Sequence, residues 1–246
     1  MDKDSNSVAW LPAPAELKLG ASDVHLWRAS LDCDAPVLSR LETTLSSDET
    51  ARANRFVYSK DRNHFVAARG ILRELLGAYL TLPPAQIRFR YADHGKPALD
   101  ANPSDSVLQF NLSHSGSLAI YGFSLGRRLG VDVEKIRPQL AGEDIARRYF
   151  AAREVAELQA LPMQRRAEGF FLCWTRKEAY IKAHGAGLSL PLDSFTVSLT
   201  PGRAAELQSD DSDDWALRSL EPGPGFVGAM VAEGRNWRSS SWSWSP

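Results

Sequence analysis

The side chains best suited to chemistry lie on one predicted helix and one predicted strand. On a helix, Trp174, Glu178 and Lys182 are spaced four residues apart and therefore lie along one face. On a strand, Asp132 and Glu134 are two residues apart and point to the same side. Three carboxylates and one ammonium can therefore meet in one place. This combination suits a divalent metal ion and a phosphate better than a hydrophobic core.

The strand carboxylates favour a bound cation. Asp132 interrupts the apolar strand Leu129-Gly130-Val131-Asp132-Val133 between two valines of high β propensity. Two unpaired carboxylates about 4 Å apart repel by roughly 4 kcal/mol at an effective dielectric constant near 20, and a nearby cation would offset that repulsion. Oxygen ligands without His or Cys favour Mg²⁺ or Mn²⁺ over zinc. The plainer alternative for the helix is an exposed ion pair between Glu178 and Lys182, worth about 0.3–0.5 kcal/mol.

Further polar residues suit a phosphate-rich ligand. Gly95-Lys96-Pro97 is a predicted turn whose glycine lets the backbone approach a ligand and whose proline stiffens it. Ser113 and His114 end a predicted strand with hydrogen-bond donors that could hold a phosphate or a ribose. Arg52 lies on a polar helix. The alternatives are solvated surface charges for Lys96 and Arg52, and an ordinary hairpin-turn residue for His114.

Composition places the chain among ordinary globular proteins. Its 246 residues are 43% hydrophobic and 24% charged, enough for one large domain or two small ones. The net charge of −1 gives no global attraction to nucleic acid or to a membrane. Two cysteines are too few for a disulfide framework or a zinc cluster. Because the N-terminus lacks a signal-peptide pattern and no apolar run approaches roughly 20 residues, we expect a cytoplasmic protein.

Two parts of the chain repeat one another at an offset of 108 residues. The segments Gly77-Ala78-Tyr79-Leu80-Thr81-Leu82-Pro83 and Gly185-Ala186-Gly187-Leu188-Ser189-Leu190-Pro191 are identical at five of seven positions. The same offset superimposes the apolar run 118–124 on the apolar run 226–232. Coincidence is the alternative in a chain rich in Leu, Ala and Gly. A constant offset across separated segments favours an internal duplication.

The coarse pattern predicts an α+β fold of two similar subdomains related by a pseudo-twofold axis. Each would be a small, mostly antiparallel sheet packed on a long helix, with residues 1–127 forming the first subdomain and 128–246 the second. A shorter helix would begin at Ser47 as its N-cap. Residues 239–246, which alternate Ser and Trp, would form a loose tail, or their two tryptophans would cap an apolar patch. A cleft between two such halves is a common ligand site. We expect helices near 63–79, 141–149, 152–160 and 165–183, and strands near 24–29, 86–92, 107–112, 117–124, 129–134, 193–199, 215–220 and 226–232.

The strand and helix motifs together resemble the paired signature of the 4′-phosphopantetheinyl transferases, G-[IV]-D followed by W-x-x-K-E-[AS]-x-x-K. Here they read Gly130-Val131-Asp132 and Trp174-Thr175-Arg176-Lys177-Glu178-Ala179-Tyr180-Ile181-Lys182. The length and the duplication resemble the Sfp-type subclass, a pseudo-dimeric single chain. The resemblance covers about residues 24–200. It extends to Arg52 and Phe56, Gly95-Lys96-Pro97, Asn111-Leu112-Ser113-His114-Ser115 and Gly187-Leu188-Ser189.

The resemblance implies a reaction in which the phosphopantetheine arm of coenzyme A moves to a serine of an acyl or peptidyl carrier protein. Adenosine 3′,5′-bisphosphate would leave, with Mg²⁺ (or Mn²⁺) as the metal. Asp132, Glu134 and Glu178 would hold the metal, and Asp132, Glu178 and Lys182 would be catalytic. Lys177 is assigned a supporting ion pair, and Trp174 a place in the core. The residues implied to bind coenzyme A, in the first subdomain and beside the metal, are Arg52, Gly95, Lys96, Pro97, Asn111, Ser113, His114, Asp132 and Lys182.

The implied protein partner is an acidic carrier domain, which complementary positive charge would attract. Positive charge concentrates before and within the motif helix, at Arg147, Arg148, Arg153, Arg165, Arg166 and Arg176. A monomer is expected, because the duplication already supplies two lobes. Two alternatives from other classes are a Mg²⁺-dependent nucleotide phosphohydrolase and a non-catalytic protein that binds coenzyme A or carriers. The intact Asp132, Glu178 and Lys182 argue against the non-catalytic alternative.

Overall fold

The computed structural model describes residues 9–91, 97–100, 108–185 and 189–246. Within these ranges there are six α-helices and twelve β-strands. The helices are α1 (Ala35–Glu42), α2 (Ser47–Ala53), α3 (Ser59–Leu80), α4 (Glu143–Tyr149), α5 (Ala152–Ala160) and α6 (Met163–His184). The strands are β1 (Leu11–Pro12), β2 (Asp23–Ser30), β3 (Phe89–Tyr91), β4 (Pro97–Leu99), β5 (Leu108–Ser115), β6 (Leu118–Leu125), β7 (Leu129–Lys135), β8 (Thr196–Val197), β9 (Leu207–Gln208), β10 (Trp215–Leu220), β11 (Phe226–Glu233) and β12 (Arg238–Ser243).

Two lobes share one connectivity. In the first lobe β2, β6 and β5 form an antiparallel sheet with β6 in the middle, and in the second β7, β11 and β10 do the same with β11 in the middle. Each sheet packs on a helix of 22 residues, α3 in the first lobe and α6 in the second. The two middle strands are the segments that the 108-residue offset superimposes. The predicted α+β fold of two similar subdomains is therefore confirmed.

The two sheets face each other, and the long helices cover their outer faces. The layer between the sheets contains Val24, Leu26 and Ile120 from the first lobe and alternate residues of β7 from the second. Burying a branched aliphatic side chain stabilises a fold by roughly 1.5–3 kcal/mol. The alternation of β7 therefore decides its orientation: its leucine and valines enter this layer, so Gly130, Asp132 and Glu134 must face α6.

The C-terminal segment is not the loose tail that the sequence suggested. β12 pairs in parallel with β2 and adds a strand to the sheet of the first lobe. Its alternation of Ser and Trp has the two-residue period of a strand, so Trp242 packs against the hydrophobic core of the first lobe. There the Trp242 ring lies 5.2 Å from the ring of Trp27 and 4.7 Å from that of His25. The last strand of the chain thus lies in the lobe formed by residues before 127.

Helix boundaries differ from the expected ones by a few residues. Ser46, not Ser47, caps α2, because Glu49 at the third helical position completes a capping box with it. α3 begins at Ser59, four residues before the expected start, and ends one residue later than expected, where Thr81 takes a left-handed conformation with φ 54°. α6 ends at Gly185, which takes the same conformation with φ 79°. No described helix is both long and apolar enough to cross a lipid bilayer.

α6 crosses β7 in direct backbone contact at Gly130. A Cβ atom on Gly130 would lie 2.1 Å from the carbonyl oxygen of Ala179 and 2.4 Å from the nitrogen of Ala183. Both atoms belong to the helix backbone, which cannot turn aside as a side chain can. Glycine is therefore required here for a steric reason. The close approach brings the next inward-facing residue of the strand, Asp132, within reach of α6.

Gly130→Ala should push α6 away from β7. Overpacking a well-packed interior costs about 1–3 kcal/mol, so we expect a loss of at least that size in the free energy of unfolding, measured by urea denaturation. Gly142→Ala is the matched control, because a Cβ there meets no atom within 4 Å and the residue has φ −83°. It should cost less than about 1 kcal/mol as a helix N-cap change. Equal stability of Gly130→Ala and the unsubstituted chain would contradict the proposed contact.

Candidate active site

A cleft of about 450 Å³ opens where the lobes meet. Strands β5 and β7 form two of its walls, and α6 forms the third. Six polar side chains that the sequence singled out line it together, accompanied by one leucine and by the tryptophan of the helix motif. The lining residues are Leu112, Ser113, His114, Asp132, Glu134, Trp174, Glu178 and Lys182.

Lys182 connects α6 to both strands at the bottom of the cleft. Its Nζ donates to Asp132 Oδ1 at 2.6 Å and to Ser113 Oγ at 3.1 Å. Ser113 Oγ in turn donates to the same Asp132 oxygen at 2.7 Å. The spacing of α6 places Glu178 one turn before Lys182 on this side of the helix. A carboxylate, a hydroxyl and an ammonium from three separate elements are therefore in mutual contact.

The seam between the lobes is built from side chains of β5 that reach β7. Asn111 Oδ1 accepts the backbone N–H of Val131 at 2.9 Å. Ser115 Oγ donates to Glu134 Oε2 at 2.6 Å and accepts the backbone N–H of Lys135 at 3.1 Å. Together with Ser113, these residues recur at every second position of β5 and so share one face. The period-two polar pattern of β5 therefore sets the position of both β7 carboxylates.

The carboxylates share a region of negative potential. Burial raises the pKa of Glu178, and the negative charges of Asp132 and Glu134 raise it further against the opposing effect of Lys182. Burial also raises the pKa of Glu134, which the negative charge of Asp132 reinforces and the hydrogen bond from Ser115 opposes. The ionised form of each glutamate is thus disfavoured in the cleft. A proton or a cation bound here would relieve that repulsion.

One unpartnered carboxylate oxygen supports a bound metal ion, although the described residues do not form a complete set of metal ligands. Asp132 is 4% exposed, and its Oδ2 is buried without a hydrogen-bond partner among the described residues. An unpartnered buried carboxylate oxygen is costly unless a ligand completes it. Within the same ranges no three His, Cys, Asp or Glu side chains are grouped closely enough to form a ready metal site. Glu134 Oε2 is engaged by Ser115 and lies 3.5 Å from Arg137 Nη2.

Cationic groups gather on the opposite side of the cleft around His114. The His114 ring is exposed at the rim, yet the surrounding protein removes enough water to lower its pKa, and the charges of Lys182, His64 and Arg52 lower it further. Arg52 lies on α2 with its guanidinium 5.4 Å from the centre of the Phe65 ring. His64 Nε2 lies 2.7 Å from Asp32 Oδ1. Sequence reasoning missed His64, whose partner lies 32 positions earlier in the chain.

Three predicted ligand residues do not line the cleft. The side chain of Asn111 faces the seam, where its oxygen is used by the backbone of β7. Pro97 begins β4 and pairs with Tyr91 of β3. Arg52 lies beyond the rim and acts on His114 through its charge. Gly95 and Lys96, like the motif residues Gly187 and Leu188, lie outside the described residues.

The side chains of the motif helix divide between cleft and core. Trp174 belongs to both: its ring stacks on Phe170 at 6.1 Å, and it also lines the cleft. Lys177 is fully buried and pairs with Glu154 at 2.8 Å, which confirms its predicted role in an ion pair. Arg176 is also buried, and its guanidinium donates hydrogen bonds to Ser198 and Ser219. It therefore cannot belong to the positively charged surface that was predicted to bind the carrier.

Family models match most of both lobes. Residues 128–231 match the 4′-phosphopantetheinyl transferase superfamily. Residues 32–122 match the family described as 4′-phosphopantetheinyl transferase, N-terminal. The two matched regions correspond to the two lobes, and the first of them contains the strand and helix that form the carboxylate side of the cleft.

Curated relatives match over three quarters of the chain or more. The 4′-phosphopantetheinyl transferase HetI of Nostoc sp. is 43% identical over 233 residues, covering 95% of this chain and 97% of the relative. A putative 4′-phosphopantetheinyl transferase of Synechocystis sp. is 34% identical and covers 76% of each chain. The 4′-phosphopantetheinyl transferase Sfp of Bacillus subtilis is 30% identical, covering 78% of this chain and 84% of the relative.

Proposed function

Because the chain belongs to the 4′-phosphopantetheinyl transferase superfamily, we propose that it transfers the phosphopantetheine arm of coenzyme A to a serine of a carrier protein. Adenosine 3′,5′-bisphosphate is the second product. The observation that carries the proposal is the meeting of Asp132, Glu178 and Lys182 in one cleft between the lobes. A phosphoryl-type transfer requires mainly positioning and charge stabilisation, which these groups supply.

Glu178 is the proposed general base. Glu178 lines the cleft one helical turn before Lys182, and one of its two carboxylate oxygens can accept a proton while the other faces a cation. It takes the proton of the carrier serine as the serine oxygen bonds to the phosphorus next to the pantetheine. The bond from that phosphorus to the bridging oxygen breaks, and its electron pair leaves with the adenosine bisphosphate.

Lys182 is the proposed partner of the phosphate oxygens. Its ammonium is held against Asp132 and Ser113, so its position is fixed before a substrate arrives. The side chain remains 27% exposed on the cleft side, where a phosphate can approach it. Charge that develops on the bridging oxygen as the bond breaks is stabilised by this ammonium.

Asp132, Glu178 and Glu134 are the proposed ligands of a Mg²⁺ ion. The buried, orphaned Oδ2 of Asp132 and the raised pKa values of both glutamates support a cation in this position. Oxygen-only ligands suit Mg²⁺ or Mn²⁺. A bound Mg²⁺ ion would neutralise pyrophosphate charge and orient it for attack. The existing hydrogen bond and ion pair of Glu134 make it the least essential ligand.

Coenzyme A is proposed to lie with its charged groups toward the first lobe. Hydrogen-bond donors and positive charge for its phosphates come from His114, Arg52 and Ser113. Further proposed contacts are Gly95, Lys96 and Pro97. The carrier is proposed to approach over α4, because Tyr149 packs against the cleft residue Trp174 with ring centres 5.9 Å apart. Both lobes come from one chain, so we propose a monomer, which a light-scattering mass would test.

Transfer to a carrier should be visible by mass. The protein is incubated with coenzyme A, Mg²⁺ and an apo acyl or peptidyl carrier domain, and the carrier is then weighed by mass spectrometry. We expect the carrier to gain one phosphopantetheine arm at its serine. Breakdown of coenzyme A without any carrier would indicate a phosphohydrolase instead, and binding without product would indicate a non-catalytic protein. A carrier whose serine is replaced by alanine is the control.

The three carboxylates should not be equivalent in that assay. Asp132→Ala and Glu178→Ala each remove a metal ligand or the base, so we expect kcat/KM to fall about 10²–10⁴-fold. Glu134→Gln should fall only about 10-fold, since Ser115 still reaches the amide oxygen and water can replace a metal ligand. Removing Mg²⁺ with a chelator should abolish transfer. Equal losses in all three variants would overturn the ranking.

Carrier docking should depend on the exposed arginines of α4. Arg147 and Arg148 are exposed in the last turn of this helix, whereas Arg166 caps the end of α5 through the carbonyls of Gln159 and Leu161. The double change Arg147→Glu and Arg148→Glu should raise the KM for an acidic carrier at least about 10-fold and leave kcat nearly unchanged. Lys18→Glu, a charge reversal at an 84% exposed side chain, is the control. Transfer that ignores both the double change and added salt would contradict this docking face.

A further inference from the structure

A buried ion pair lies directly behind the proposed general base. Lys177 is the residue before Glu178, and its side chain is 0% exposed. Its Nζ lies 2.8 Å from Glu154 Oε2 and donates to the carbonyl oxygens of Leu192 at 2.7 Å and Phe195 at 2.6 Å. The three ammonium hydrogens therefore have three acceptors. The ammonium is held in one position by partners from two other segments.

The carboxylate of the pair extends the connection to α5 and β8. Glu154 Oε2 accepts the backbone N–H of Ala151 at 2.8 Å, and Oε1 accepts that of Val197 at 2.7 Å. Glu154 is itself buried. One ion pair thus fastens the beginning of α5, the turn after α6 and strand β8 to a single point on α6.

The first lobe contains a similar arrangement, although the 108-residue offset gives Arg69, not Arg73, as the counterpart of Lys177. Arg69 also pairs with Glu49, while Arg73 makes the carbonyl contacts that correspond to those of Lys177. Arg73 of α3 donates from Nε to Glu49 Oε2 at 2.6 Å, and from Nη1 to the carbonyls of Pro84 at 3.0 Å and Ile87 at 2.9 Å. Glu49 Oε2 also accepts the backbone N–H of Ser46 at 3.1 Å, as Glu154 does for Ala151. The 108-residue offset maps the two carbonyl residues onto Leu192 and Phe195. Both lobes therefore use a buried glutamate and cation to join a short helix, a long helix and the turn after it.

The ion pair of Lys177 and Glu154 in the second lobe also determines the direction in which the Glu178 side chain points. Consecutive side chains of an α-helix are about 100° apart around the axis. When Lys177 is seated between Glu154 and the turn, Glu178 is consequently directed toward β7 and the cleft. Gly130 fixes the distance between α6 and β7, but a contact between two backbones does not fix the rotation of the helix about its own axis.

We propose that Lys177 and Glu154 are positioning residues for the transfer reaction, because their ion pair sets the rotation of α6 that aims Glu178 and Lys182 into the cleft. This inference rests on the proposed function. Neither residue lines the cleft, so both act through Glu178 and Lys182 and neither touches the substrate. The similar pair of Glu49 and Arg73 joins α2 to α3, and α3 carries no proposed catalytic group.

The test compares the two pairs. Lys177→Met keeps the length of the side chain and removes its charge. Arg73→Met removes the first-lobe cation that makes the corresponding carbonyl contacts, while Arg69 stays paired with Glu49. Both variants are assayed with coenzyme A and carrier, well below their own melting temperatures. We expect Lys177→Met to lower kcat at least about 10-fold with the KM for coenzyme A within about 3-fold of the original, and Arg73→Met to keep kcat within about 2-fold.

Conservative and milder variants separate position from stability. Lys177→Arg should recover most of the lost kcat, because the first lobe shows that an arginine can serve this arrangement. Glu154→Gln preserves the shape of the partner and should lower kcat in the same direction, which keeps the test decisive if Lys177→Met does not fold. Equal kcat losses in Lys177→Met and Arg73→Met, or an unchanged kcat in Lys177→Met and Glu154→Gln, would overturn the proposal. Failure of the unsubstituted protein to load any carrier would instead reject the proposed function.

Discussion

Helix α6 lies directly against strand β7 because Gly130 has no side chain, and the rest of the site depends on this contact. A single methyl group would meet two backbone atoms of the helix at distances no structure tolerates. With the helix this close, Lys182 reaches Asp132 and Glu178 shares its electrostatic field. The strand supplies the two carboxylates on the same face as the glycine. One small residue therefore allows the charged residues of two distant segments to meet.

The strand carboxylates of the site come from the second lobe, and the corresponding strand of the first lobe is different. In the second lobe Asp132 pairs with Ala229. The 108-residue offset maps Ala229 onto Tyr121 of the first lobe, and Tyr121 pairs with Trp27. Trp27 is therefore the counterpart of Asp132. Trp27 is buried and donates from its indole to the hydroxyl of Tyr79. The first copy thus fills this position with aromatic core, and the second leaves it polar and open to a cleft.

The buried charges of the protein differ in how completely they are satisfied. Lys177 is surrounded by acceptors, and Glu154 and Glu49 each accept from several donors. Such pairs fix a geometry, because leaving one partner unpaired in a medium of low dielectric constant is costly. Asp132 differs from them, since one of its oxygens is buried and has no partner among the described residues. This contrast supports the proposed role of Asp132 as a cation ligand, whereas the paired groups stabilise the fold.

The sequence by itself determined the repeat, the two long helices, the shared face of Asp132 and Glu134 on β7, and the shared face of Glu178 and Lys182 on α6, because each follows from local periodicity and spacing. It did not determine the pairing of β12 with β2, the use of Asn111 in the seam, the burial of Arg176 or the contact of His64 with Asp32. Those depend on which surfaces meet across long separations in the chain, and similar exposed and buried patterns allow several such pairings. The rotation of α6 likewise depends on Glu154, Leu192 and Phe195, whose proximity to Lys177 only the folded chain decides. The chemical types of the reacting groups are therefore visible in the local sequence, whereas their positions and orientations depend on the packed tertiary structure.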